Sequence, residues 1–371
     1  GEMAVFLARA FELALVGGDA FSDDDESPYE PQIDAVAAAG VTLGCDDGRF
    51  CPEAVVTREQ MASFLTRASG LTPIPVEPRC RVFPVDNIWN TPIDTLPIHQ
   101  RSADYVESIG VDAIVHPDFG SGVWPPGSNS PIGIPFVEVG STVAQAAIEY
   151  VAYGDESDPG PFPSPLDAPI EGGPDGAGDR HVIAVDRQEC MLYELFDARP
   201  VGDAWQAASG ARYDLGSNEL RPEGWTSADA AGLPIFPGLV RYGEVAAGSI
   251  DHAIRFTAPR TQRSYVWPAR HFASSDSDPA LPPMGQRFRL RSDFDVTGFH
   301  PDVQVILKAM KRYGLILADN GSSWFVSGAP DPRWDNGALR QLRQLTGADF
   351  EAVDVSPLRV SPDSGAAGTT S

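Results

Sequence analysis

Lysine is almost missing from this sequence. Lys308 and Lys311 are the two lysines among 27 basic residues, which stand against 52 acidic ones for a formal charge of −25. A chain so acidic is not built for sequence-independent binding to nucleic acid or to anionic lipid. No run approaches the ~18–20 uninterrupted apolar residues of a spanning helix, so no membrane insertion is expected. Cysteine is scarce too. Cys45 and Cys51 bracket a turn in GCDDGRFC, whereas Cys80 and Cys190 stand far apart beside strand-like runs. Four cysteines allow three pairings. Closeness in sequence favours Cys45–Cys51 and leaves Cys80–Cys190. Neither CxxC nor a Cys/His pair at zinc spacing occurs, so no metal site and no cofactor is read here. Two disulfides imply a secreted protein and leave no thiol nucleophile. A GxSxG elbow, a P-loop, HExxH and a strand-linked GxGxxG are missing as well.

What is present begins with a repeat. GEMAVFLARAFEL at 1–13 returns as EQMASFLTRASGL at 59–71, matching at Met3/Met61, Phe6/Phe64, Leu7/Leu65, Arg9/Arg67 and Ala10/Ala68. An offset of 58 residues is the range of an array of supersecondary units. In the second copy Met61, Phe64, Leu65 and Ala68 share a helix face, and Thr57 with Gln60 forms a capping box. Upstream, Tyr29, Ile33, Val36 and Ala37 form a second stripe that Gly40 terminates. The unit reads as helix, turn-rich loop, helix. The chain opens inside a copy, as expected of a piece cut from a longer array.

On FSDDDESPYEPQIDAVAAAGVTLG and DDGRFCPEAVVTREQMASFLTRA, this unit resembles an S-layer homology repeat. The resemblance makes 1–13 the end of one repeat and 14–71 a second. Thr57-Arg58-Glu59 stands where that family carries Thr-Arg-Ala-Glu, with Glu59 in place of Ala and Gln60 in place of Glu. It implies a secreted protein associated with the cell wall or S-layer, docking onto a wall polymer. Arg58, at a helix N-terminus, is the expected polymer ligand. The other reading of the unit is a spacer without glycan affinity.

Residues 72–79, TPIPVEPR, form a Pro-rich linker. From 80 to 356 the chain is strand-rich: RHVIAVD and MLYELFDA read as paired strands, and IDHAIRFTA, SYVWPARHF, QRFRLR and GLILADNG continue the theme. Helices are expected near Ser102–Ile109 and at 301–314, with another at NGALRQLRQLTG. The stretch 154–179 reads as a long surface loop, and 357–371 as a disordered tail. The expected fold is α+β: a small helical repeat unit followed by a mainly-β sandwich or jelly roll with peripheral helices. On FPVDNIWNTPID, HPDFG, PIEGG and GWTSADAAGLPIFPGLVRY, residues 80–356 resemble a family of secreted bacterial proteins. That resemblance carries no activity with it.

Chemistry must therefore be read from side chains. Strand alternation puts His181 with Ile183 and Val185, His252 with Ile254 and Phe256, and Glu194 with Leu192 and Phe196. Each faces inward, either as a satisfied core group or as an acid–base residue of a groove. Asp319 ends a hydrophobic strand, where a cleft opens or a tight turn forms. These four are the candidate catalytic residues. Asp331 and Asp335 flank Trp334 in APDPRWD, a cluster that suits sugar as well as a plain turn. Trp267, Trp324 and Arg270 complete the candidate substrate contacts. The chemistry left is carboxylate and histidine acid–base work, which fits glycoside hydrolysis on an extracellular polysaccharide. The alternatives are a non-catalytic glycan-binding or adhesion protein, a polysaccharide lyase, and a structural envelope protein.

Overall fold

The computed structural model describes residues 1–11, 13–15, 18–42, 44–45, 48–56, 61, 64–65, 67–68 and 80–368. The proposed polymer ligand Arg58, its capping box and the linker 72–79 lie outside the described residues. The chain divides into two compact units, Gly1–Glu77 and Pro78–Ser371.

In the first unit, α1 (Glu2–Ala10) and α2 (Glu30–Ala38) pack through Ala4, Leu7, Ala8, Ile33 and Val36, with Phe64 and Ala68 against the same core. Helix α2 starts with Pro31 in its first turn, where no donor is needed, and ends before Gly40 at φ +67°. Asp23 ties the loop to the turn that follows, accepting N–H groups from Phe50 at 2.6 Å and Cys51 at 3.0 Å. Cys45 is joined to Cys51.

The second unit is α+β, with thirteen described strands in three sheets. Its largest sheet is mixed and runs β1 (His116–Asp118), β12 (Phe325–Ser327), β9 (Ile254–Ala258), β11 (Leu315–Asn320), β10 (Arg287–Leu290), β13 (Phe350–Val353). A four-stranded sheet orders β2 (Val137–Val139), β4 (Val182–Asp186), β5 (Met191–Phe196) and β8 (Ser209–Asp214). The third contains β3 (Ala147–Tyr150), β7 (Ala204–Ala207) and β6 (Arg199–Val201). Ile183, Val185 and Leu192 on one face of the four-stranded sheet share a core with Phe256, Leu317 and Phe288 of the large sheet. Val182 and Leu195 on its other face pack with Trp205 and Ala207 of the small one. Covering on both faces explains why β4 is buried at all five positions.

The helix Ser102–Ile109, here α3, lies where its pattern places it, and α5 (Pro301–Arg312) buries Val303, Ile306, Leu307 and Met310. Between these, α4 spans Tyr242–Ala247. The segment NGALRQLRQLTG makes only a short helix, α6 (Asn336–Leu339), followed by a tighter 3-10 turn. Cys80 is joined to Cys190, pinning the start of the unit beside β5.

Two expectations are corrected. The stretch 154–179 is not merely a surface loop, because Phe162, Ala168 and Ile170 fill the second core. Nor is 357–368 disordered. Leu358 is buried, Ile88 N–H donates to the Gly365 carbonyl, and Ala367 N–H donates to that of Asp86.

Candidate active-site cleft

A cleft of ≈ 890 Å³ opens beside the β1 edge of the large sheet. Asp118, Glu171, Asp179, His116, Trp124 and Arg340 are among the residues that line it. Asp118 ends β1, directly paired with Ser327 of β12. The loop after it is held by Asn336, whose amide both accepts from Ser121 N–H and donates to the Ser121 carbonyl, each at 2.9 Å. Glu171 precedes Gly172 and Gly173, at φ +76° and +83°. A Cβ on Gly173 would sit 2.6 Å from the Asn129 carbonyl oxygen, so the chain passes there only as glycine. Buried Arg180 then clamps this loop, donating to the carbonyls of Gly173, Pro174, Gly176 and Ala198.

His181 lies behind Glu171. Its Nε2 is 2.9 Å from the Ala228 carbonyl, which can only accept, so this nitrogen carries a proton. Its Nδ1 is 2.5 Å from Glu171 Oε2. Burial alone would lower the affinity of His181 for a second proton, but the Glu171 charge and hydrogen bond outweigh it and raise the pKa to about 9. Glu171 is the mirror case. Burial would raise its carboxyl, yet His181 holds it below the ordinary range. The pair is therefore imidazolium and carboxylate at neutral pH. Asp118 moves the other way, raised first by the surrounding protein and then by the Glu171 charge. One cleft thus holds an ionised carboxylate and a carboxyl with increased proton affinity, the arrangement that separates a base from an acid.

A second layer supports the first. Arg255 on β9 reaches both oxygens of buried Asp229, at 2.6 and 2.7 Å, and donates to Ser327 Oγ at 2.7 Å and Asp319 Oδ2 at 3.3 Å. The register of β11 shifts between Leu317 and Asp319, which redirects that aspartate. Burial, then the Asp229 charge, raise Asp319 to about 7 against the pull of Arg255. Asp319 thus shares the Arg255 guanidinium with Asp229.

The remaining candidates lie elsewhere. Glu194 is sealed inside, accepting backbone N–H groups of Ile235 and Phe236 at 2.8–3.0 Å, and does not line this cleft. Burial lifts it from 4.5 to about 7. His252 belongs to another cluster, with Nε2 3.3 Å from Glu244 and 3.1 Å from Arg241. The candidate tryptophans do not line this cleft. Trp324 is 0% exposed and stacks between Phe256 and Phe350. Trp334 is buried against Phe119 and Tyr242. Asp331 is held bidentately by Arg333, and Asp335 caps α6 through Gly337 and Ala338 N–H. Trp267 and Arg270 line a separate cleft of ≈ 460 Å³, where they fasten Ser364, Pro362 and Asp363. The tryptophan beside the acids is instead Trp124, 68% exposed. Sequence reasoning passed over Trp124, Asp118 and Glu171, although HPDFG and PIEGG were already distinctive.

Residues 20–62 match the family model of the S-layer homology domain. The protein thus carries an S-layer homology domain and is a secreted, cell-wall- or S-layer-associated protein, with which its two disulfides agree. No curated protein and no solved structure matches the chain, so the resemblance of residues 80–356 to secreted bacterial proteins finds no counterpart there. Among the described residues no helix is long and apolar enough to cross a membrane.

Proposed function

We propose that the protein is a glycoside hydrolase held at the cell surface, cleaving an extracellular polysaccharide in the cleft of the second unit. Asp118 serves as general acid for the leaving oxygen, and Glu171 as the base or nucleophile. His181 is a positioning residue: it keeps Glu171 ionised and fixes its orientation. The observation that carries this reading is that Asp118 and Glu171 line one cleft, with Glu171 held at 2.5 Å by buried His181; the opposed directions of their proton affinities agree with it. Trp124 at the rim supports it, since an exposed indole stacks on the C–H face of a sugar ring. In the same proposal, Arg58 of the S-layer homology domain docks the protein to a wall polymer.

Incubating the full chain with a broad polysaccharide panel tests the reading. Release of saturated reducing sugars is the result it expects. Release of unsaturated uronate, visible by ultraviolet absorbance, would make the cleft a lyase. Saturable binding without product would leave a glycan-binding protein.

A further inference from the structure

We propose that the loop opening the S-layer homology domain holds a calcium ion between Asp19, Asp24 and Asp25. One carboxylate oxygen from each of the three lies within 4.8 Å of the others. Oxygens bound to one Ca²⁺ at about 2.3–2.6 Å span such separations, up to about twice that bond length.

Acidic side chains cluster on many surfaces without an ion; Asp24 sets this cluster apart. It is 1% exposed, and its Oδ2 has no hydrogen-bond partner. Sealing a carboxylate away from water without a partner is strongly unfavourable, so a native fold pairs it, protonates it or gives it a metal. Protein partners are already committed. Asp34, itself 5% exposed, turns Oδ1 to the Ala20 N–H at 3.0 Å. Asp23 is occupied by Phe50 and Cys51. Asp19 and Asp25 are exposed, leaving an entry path and room for water ligands. Carboxylate oxygens without sulfur or imidazole suit a hard cation, and a partly hydrated, irregular site suits calcium better than magnesium. The ion would hold Asp19 to Asp24 and Asp25, closing the loop before α2 on itself. This inference does not depend on the cleft of the second unit.

The test is calorimetric titration of the full chain with Ca²⁺, beside Asp24→Asn, Asp25→Asn and Glu26→Gln. One site per chain is expected, in the ~10⁻⁴–10⁻³ M range of extracellular modules. Asp24→Asn should abolish it, Asp25→Asn should weaken it at least about tenfold, and Glu26→Gln should leave it within about twofold. A thermal scan with calcium and with chelator guards against misfolding. Wild type should melt higher with calcium, and Asp24→Asn should melt equally in both. No binding at millimolar calcium, equal affinity for magnesium, or equal loss in Glu26→Gln and Asp24→Asn would overturn the proposal.

Discussion

His181 Nδ1 stands 2.5 Å from Glu171 Oε2 while the opposite ring nitrogen donates to a backbone carbonyl. That arrangement sets the charge of both groups, and the Glu171 charge adds to burial in raising the proton affinity of Asp118. Glu171→Gln removes the counter-charge and leaves burial and the Arg255 charge, opposed by Asp179, acting on the imidazole. His181 should then titrate at or below its ordinary 6.5 instead of about 9. An NMR titration of histidine-labelled protein measures this, and an unmoved His181 would show that Glu171 is not its partner.

Stability of the second unit should fall as pH rises. Glu194 goes from 4.5 to about 7 on folding, so its contribution is complete below 4.5 and is lost as pH rises through 7. His181 behaves alike between 6.5 and about 9. Each shift of about 2.5 units corresponds to on the order of 3 kcal/mol. Denaturant midpoints measured between pH 4 and 9 should decline, and Glu194→Gln should flatten the lower half of that slope. A midpoint that climbs with pH across this range would contradict both assignments.

Arg255→Met should destabilise the unit by about 3–5 kcal/mol, because Asp229 would be left charged and buried. Urea unfolding of the full chain reads this as an earlier transition. A loss below ~1 kcal/mol would mean that Asp229 finds another partner.

Trp124→Ala should leave the melting temperature unchanged, since its ring is exposed, and weaken polysaccharide affinity about three- to tenfold, the worth of one stacking contact. The readout is KM, or binding in an inactive variant. Unchanged affinity would remove Trp124 from the site.

Much of this molecule was legible because period decides which side chains turn inward. The two-residue alternation of HVIAVD and MLYELF set His181 and Glu194 on the face of Ile183, the one that packs against the large sheet, and both are buried there. Alternation does not say what waits on that face. For Glu194 it is two backbone N–H groups from Ile235 and Phe236, which convert an apparent acid catalyst into a structural acceptor. For His252 it is Arg241 and Glu244. Asp118 and Glu171 escaped because one ends a three-residue strand and the other sits in a glycine loop, where no period applies. The tryptophans misled for another reason. Indole is amphipathic, and Trp324 and Trp334 satisfy their N–H on the carbonyls of Gly110 and Ala329 while the rings fill the core.

In the proposed mechanism Asp118 and Glu171 act as separate acid and base, and the rate of reducing-end release measures that most directly. Wild type, Asp118→Asn and Glu171→Gln should be compared at equal concentrations of folded full chain on a polysaccharide that wild type degrades. Each variant should lose at least about 10²-fold in kcat, and Asp118→Asn should also erase the alkaline limb of the pH profile, because no proton is left to donate. Both variants turning over at the wild-type rate, or a folded wild type that cleaves no polysaccharide, would contradict the account.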